Sequence, residues 1–125
     1  APQVIIETSE RAYYDYFVRQ DIKIDYLHID GDHSYEGVKK DFELYSQIMS
    51  ENGIITIHDT DQTYHNTFLV PDTQKTDFAE FDGPAKFIEE LKNNPKYNLV
   101  NLKNFITFTH KTTSTGLTVV TKNKI

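Results

Sequence analysis

The 125-residue sequence contains no cysteine. Disulfides, thiolate metal sites and a cysteine nucleophile are therefore excluded. No apolar run approaches the roughly 20 residues of a membrane-spanning helix, and the N-terminus does not read as a signal peptide. Positive charge is not in excess. Thirteen Lys and Arg stand against 19 Asp and Glu, a formal net charge of −6, and the lysines are scattered among acids. Nucleic-acid and anionic-membrane partners need clustered positive charge and are not expected. There are five glycines, none clustered, and no G-x-G-x-x-G run. The lack of cysteine is compatible with an intracellular protein, and a cytoplasmic location is the expectation. The first residue is Ala1, not Met, which reads as a processed chain or a fragment.

What is present is an ordinary globular composition, 38% hydrophobic with eight Tyr and eight Phe. That is enough for one domain, residues 1–125, with one modest core. "QVIIE" reads as a β-branched strand, followed by a helix over "TSERAYYDYFVRQ" with Thr8 or Ser9 as N-cap. "KIDYLHID" reads as a strand buried on both faces. Over "SYEGVKKDFELYSQIMSENG" the residues Tyr35, Val38, Phe42, Tyr45 and Met49 recur at steps of three and four, and Asn52-Gly53 predicts a left-handed helix stop. "GIITIHD" is a third strand. Strand, helix, strand, helix, strand with short connections predicts three parallel strands with crossover helices. Residues 60–81 are polar and irregular, the pattern of a binding loop or lid. "DGPAKFIEELKNNP" predicts a helix, with Pro84 in its first turn. The tail predicts two strands around "KTTSTG", an antiparallel hairpin.

In an open α/β sheet, ligands bind beyond the carboxyl ends of the strands. One such end carries Asp30, Gly31, Asp32 and His33, another His58, Asp59, Thr60 and Asp61. If these strands are neighbours, Asp30 and Asp59 face one small volume with His33 and His58 close by. Adjacent carboxylates repel unless a cation lies between them, and Mg²⁺ is the natural guest for oxygen ligands. His33 is then placed to act as a general base. Plainer readings stand beside these. Asp32 or Ser34 caps the next helix, Gly31 permits the turn, and His58, inside an apolar strand, reads more readily as a hydrogen-bonded core histidine than as a ligand. His65 and His110 read as solvated.

The stretch "IDYLHIDGDHSYEGVKKDFELYSQIMSENGIITIHDT" closely resembles the second half of class I S-adenosylmethionine-dependent methyltransferases, in the branch of macrocin O-methyltransferase and cephalosporin-hydroxylase-like proteins. "IIETSERA" resembles that family's third strand and turn, and "DGPAKFIEEL" with the tail resembles its last helix and reversed final strands. The resemblance implies a partial Rossmann-like methyltransferase sheet of three parallel strands plus a C-terminal antiparallel hairpin. It implies Thr8 and Ser9 near the cofactor's adenine, and Asp30 and Gly31 at the cofactor. It implies Asp30 and Asp59 as metal carboxylates, with His58 or Thr60 beside them, and His33 as the catalytic base. The activity implied is Mg²⁺-assisted O-methylation of a small-molecule hydroxyl. The family's glycine-rich cofactor loop and its ribose-binding acid have no counterpart here, so the chain reads as the C-terminal portion of such an enzyme. Two further functions remain open: a non-catalytic remnant used for oligomerisation or binding, and a metal-dependent hydrolase on the same His/Asp cluster. A half-sheet leaves a strand edge open, which predicts a homo-oligomer through that edge.

Overall fold

A computed structural model describes residues 2–61, 83–102, 105–108, 111–114 and 116–124. The elements run α1 (Ser9–Ala12), continued by a π-helical turn over Tyr13–Val18, β1 (Ile24–Ile29), α2 (Tyr35–Tyr45), β2 (Met49–His58), α3 (Gly83–Leu91), β3 (Tyr97–Leu102), β4 (Phe105–Phe108), β5 (Lys111–Ser114) and β6 (Leu117–Lys122). Four strands form one sheet in the order β1-β2-β6-β3, and β4 and β5 form a separate two-stranded ribbon.

Among the described residues only β1 and β2 pair in parallel; β6 is antiparallel to both β2 and β3. Three parallel strands were expected, and the difference lies at "QVIIE". Residues 2–6 carry no strand, and Val4 and Ile6 are exposed. A β-branched run becomes a strand only where a neighbour completes its ladder, and β1, at the sheet edge, pairs with β2 alone among the described residues.

The helix after β1 begins as its sequence dictates. Ser34 caps α2 by accepting a hydrogen bond from the Gly37 amide at 3.0 Å, and Val38, Phe42 and Tyr45 bury one stripe. It ends earlier than its periodicity suggests. After Tyr45 the chain makes one 3₁₀ turn, Ser46–Ile48, and Met49 already belongs to β2, opposite Ile24. Gly53 therefore lies inside a strand and is not left-handed; among the described glycines only Gly116 has a positive φ. The irregular register between Ile24 and Tyr26 absorbs the additional residues of β2.

The tail also differs from a simple hairpin. β3 and β6 are its paired arms, and the first four residues of "KTTSTG" are strand β5, paired with β4. The predicted loop over residues 60–81 lies outside the described residues from residue 62 onward.

The core lies on one side of the sheet. Ile29, Ile55, Ile57 and Val120 meet Val38 and Phe42 of α2 and Phe87, Ile88 and Leu91 of α3. The Phe42 ring sits 5.2 Å from both Phe87 and Tyr97. Tyr13 and Phe17 pack edge-on against Tyr45 and so fasten the first helical segment to α2. The register rows Tyr26–Ile54–Thr121–Asn98 and His28–Thr56–Val119–Val100 line the other side. There Tyr26, Ile54 and Val100 are exposed. "KIDYLHID", expected to be buried on both faces, is thus buried on one.

Candidate active site

The register of the parallel pair sets Ile29 against Ile57, so both strands end at the same level. Asp30 and Asp59 follow directly. Each strand end then turns in its own way. After β1, Asp32 Oδ1 accepts a hydrogen bond from the Ser34 amide at 2.8 Å, which closes the turn that brings His33 round. That backbone bond, with a second from the Ser34 hydroxyl, holds the Asp32 carboxyl below its ordinary value. After β2, Asp59 adopts a left-handed conformation, φ 59°, and its amide donates to the Gly116 carbonyl at 3.1 Å. Left-handed backbone is sparsely populated outside glycine, though Asp tolerates it better than most.

These turns bring the two strand ends into contact. His33 Nε2 lies 2.7 Å from Asp59 Oδ2. An ionised carboxylate only accepts hydrogen bonds, so Nε2 carries the proton and the lone pair of the neutral ring falls on Nδ1. His58 Nδ1 lies 3.0 Å from the same Asp59 oxygen and 3.5 Å from Asp30 Oδ1. Among the described residues this buried nitrogen makes no hydrogen bond. Its surroundings are therefore not those of the satisfied core histidine expected from the strand pattern; it is a nitrogen beside two carboxylates. Ligand atoms of Asp30, His33 and Asp59 all fall within 4.8 Å of one another. Asp59 is the best shielded of the four, its side chain 18% exposed against 34% for His33, 37% for His58 and 46% for Asp30.

The donor set of two carboxylates and an imidazole fits a divalent cation. Carboxylate oxygens suit Mg²⁺ or Mn²⁺, and imidazole nitrogen widens the choice toward transition metals. The buried His58 nitrogen, 3.0 Å from Asp59 and 3.5 Å from Asp30 with a hydrogen bond to neither, is the observation in favour.

Thr8 and Ser9 are placed otherwise. Thr8 caps α1, accepting from the Arg11 amide at 3.2 Å, and Ser9 donates to Asp41 Oδ1 at 2.5 Å. The second Asp41 oxygen is 3.8 Å from the position a Gly31 side chain would occupy. Asp41 thus holds the Ser9 turn to α2, and neither Thr8 nor Ser9 joins the Asp30–His33–Asp59 group. Sequence reasoning passed over Asp41 because it sits on a helix face with ordinary spacing. Thr60, expected beside the cation, shares a hydroxyl–hydroxyl hydrogen bond with Thr118 at 2.8 Å. A second polar group lies away from these strand ends. Tyr35 donates to Glu90, Lys39 Nζ reaches the other Glu90 oxygen at 2.9 Å, and the Lys39 and Lys86 ammoniums stand over the Tyr35 ring. It ties α2 to α3 at the surface.

Comparison with known proteins bears on the fold. Residues 2–60 match the family model described as a methyltransferase domain. An O-methyltransferase from Bacillus cereus, solved in complex with SAH, superposes with a TM-score of 0.57 at 14% identity, covering 88% of this chain and 47% of that one. TomG, an O-methyltransferase from Streptomyces achromogenes involved in tomaymycin synthesis and solved with SAM, gives 0.57 at 14% identity, covering 88% and 46%. The SAH-bound methyltransferase PaMTH1 of Podospora anserina gives 0.53 at 16% identity, covering 90% and 47%. In sequence, 46 residues are 39% identical to the uncharacterized protein y4gI of Sinorhizobium fredii; they are 37% of this chain and 5% of that protein. The fold is that of part of a methyltransferase, and the chain spans about half the length of the solved structures it matches. Among the described residues no helix is long and apolar enough to cross a membrane.

Proposed function

We propose that this chain is the C-terminal portion of an S-adenosylmethionine-dependent O-methyltransferase acting on a small-molecule hydroxyl with the help of Mg²⁺ or another divalent cation. The observation that carries the reading is the contact of His33 with Asp59 at adjacent strand ends, beside Asp30 and His58, in a chain whose residues 2–60 match a methyltransferase domain.

When bound, S-adenosylmethionine supplies an electrophilic methyl group and the cation stabilises negative charge on the acceptor oxygen. The chain's residues do the rest. Asp30, Asp59 and His58 would hold the cation. Asp59 would fix the His33 tautomer, which leaves Nδ1 to take the proton of the acceptor hydroxyl. Thr8 and Ser9, with Asp30 and Gly31, contribute to the cofactor's side of the cleft. The edge of β1, unpaired among the described residues, pairs with a second copy of this chain in a homo-oligomer where the chain stands alone.

The test is transfer of a labelled methyl group from S-adenosylmethionine by the full-length polypeptide. General-base catalysis contributes about 10²–10⁴-fold, so His33→Gln is expected to lose rate on that scale and to flatten the alkaline rise of the pH–rate profile. An unchanged profile contradicts the assignment. Sedimentation of the chain as a monomer at all concentrations contradicts the edge pairing.

A further inference from the structure

The His33–Asp59 contact joins two turns, and each turn is backed by a glycine from a distant part of the chain. Gly83 opens α3. A Cβ there would fall inside the van der Waals shells of the His33 carbonyl oxygen, the Ser34 carbonyl carbon and the Tyr35 nitrogen. All three are backbone atoms of the β1–α2 turn, which cannot swing aside as the end of a flexible side chain can. Pro84, fully buried, continues this contact and lines the narrow cleft formed with Asp30, Asp32, His33 and His58. Phe87, Ile88 and Leu91 anchor the rest of α3 in the core, so the helix is a fixed support.

Gly116 does the same for the other turn. Its φ of 78° lies in the region that favours glycine, and its carbonyl accepts the Asp59 amide at 3.1 Å. A Cβ there would stand 2.6 Å from Asp61 Cβ and 2.7 Å from Asp61 N. The left-handed Asp59 is thus held at its own amide by Gly116, while the segment just after it leaves no room for a side chain at 116.

We infer that Gly83 and Gly116 are positioning residues, which set the two turns at the separation that lets His33 Nε2 meet Asp59 Oδ2. The functional meaning of that contact rests on the proton-transfer role proposed above; the positioning itself is measurable apart from it. Were the glycines needed for packing alone, their replacement would lower stability and leave the His33 ring of every folded molecule as it was. Positioning requires that the ring change in molecules that remain folded.

The experiment uses the full chain with ¹⁵N-labelled histidine and reads the His33 ring nitrogens at one fixed pH. In the unmodified protein they should report a ring protonated at Nε2. In Gly83→Ala and Gly116→Ala the bias toward that tautomer should fall by about threefold, in the direction of Asp59→Ala, as a charge-assisted bond is stretched. Pro84→Ala adds no bulk and stays foldable; it should shift the ring the same way by less. Glu90→Gln, which weakens the surface tie between α2 and α3, should leave it unmoved. Folded Gly83→Ala, Gly116→Ala or Pro84→Ala with unmodified His33 signals would overturn the inference, as would an equal response to Glu90→Gln. A His33→Gln protein that still transfers methyl groups would remove the proton-transfer role while leaving the ring measurement intact.

Discussion

Replacing Asp59 separates the two things that residue does. It accepts a bond from His33, and it holds a left-handed backbone conformation at φ 59°. A hydrogen bond to a charged group contributes about 1.5–3 kcal/mol and a neutral one about 0.5–1.5. The partly exposed His33 ring puts this bond toward the lower end through solvent screening. Asp59→Asn keeps an acceptor oxygen and a residue that tolerates positive φ, so it should lose about 1 kcal/mol. Asp59→Ala loses the bond and adds about 1–2 kcal/mol of left-handed strain, for a total near 3 kcal/mol. Asp59→Gly loses the bond but not the conformation, and should fall between the two once the flexibility of its unfolded chain is counted. Urea denaturation at pH 7 measures all three as midpoint shifts with an unchanged slope. Ala and Asn variants of equal stability would refute the strain, and an Asn variant as stable as the parent would refute the bond.

Three further outcomes follow from the same structure. Ile57→Ala, at a position fully buried between β1, β6 and α2, should cost about 2–5 kcal/mol by urea denaturation. Ser34→Ala removes the α2 cap seen at Gly37 and should cost about 1 kcal/mol, with a matching rise in amide exchange over the first turn of α2. The Asp32 carboxyl is held below its ordinary 3.8 by the Ser34 amide. A depressed carboxyl stabilises the fold above its unfolded value and loses that contribution as pH falls through its folded one. Acid should therefore loosen the β1–α2 turn below about pH 4, and Asp32→Ala should remove that part of the acid response.

The residues around the site were legible where local rules and sheet position agree. "DGDHSYEG" announces a strand end, a turn and a capped helix, and "IHD" announces a second strand end. Parallel pairing of those strands then brings Asp30, His33, His58 and Asp59 together. The errors arose where a local cue competed with a distant neighbour. "QVIIE" has strand chemistry but no partner among the described residues. Met49 continues the helical spacing of Tyr45, and Asn52-Gly53 imitates a helix stop, yet pairing with Ile24 draws Met49 into β2. His58 lies in an apolar strand, and alternation alone does not tell a core histidine from one whose nitrogen meets two carboxylates. Gly83 and Gly116 could not be singled out, because close approach between residues 33 and 83, or 61 and 116, leaves no pattern in either segment.

The central claim is that the two strand ends form one cation site. Calorimetric titration of the full chain with Mg²⁺, beside its Asp30→Asn and Asp59→Asn variants, tests it most directly. One saturable site per chain is predicted, weakened about tenfold or more by either substitution, as expected when a charged ligand becomes neutral. Binding that survives both substitutions, or no binding by the parent chain, would contradict it.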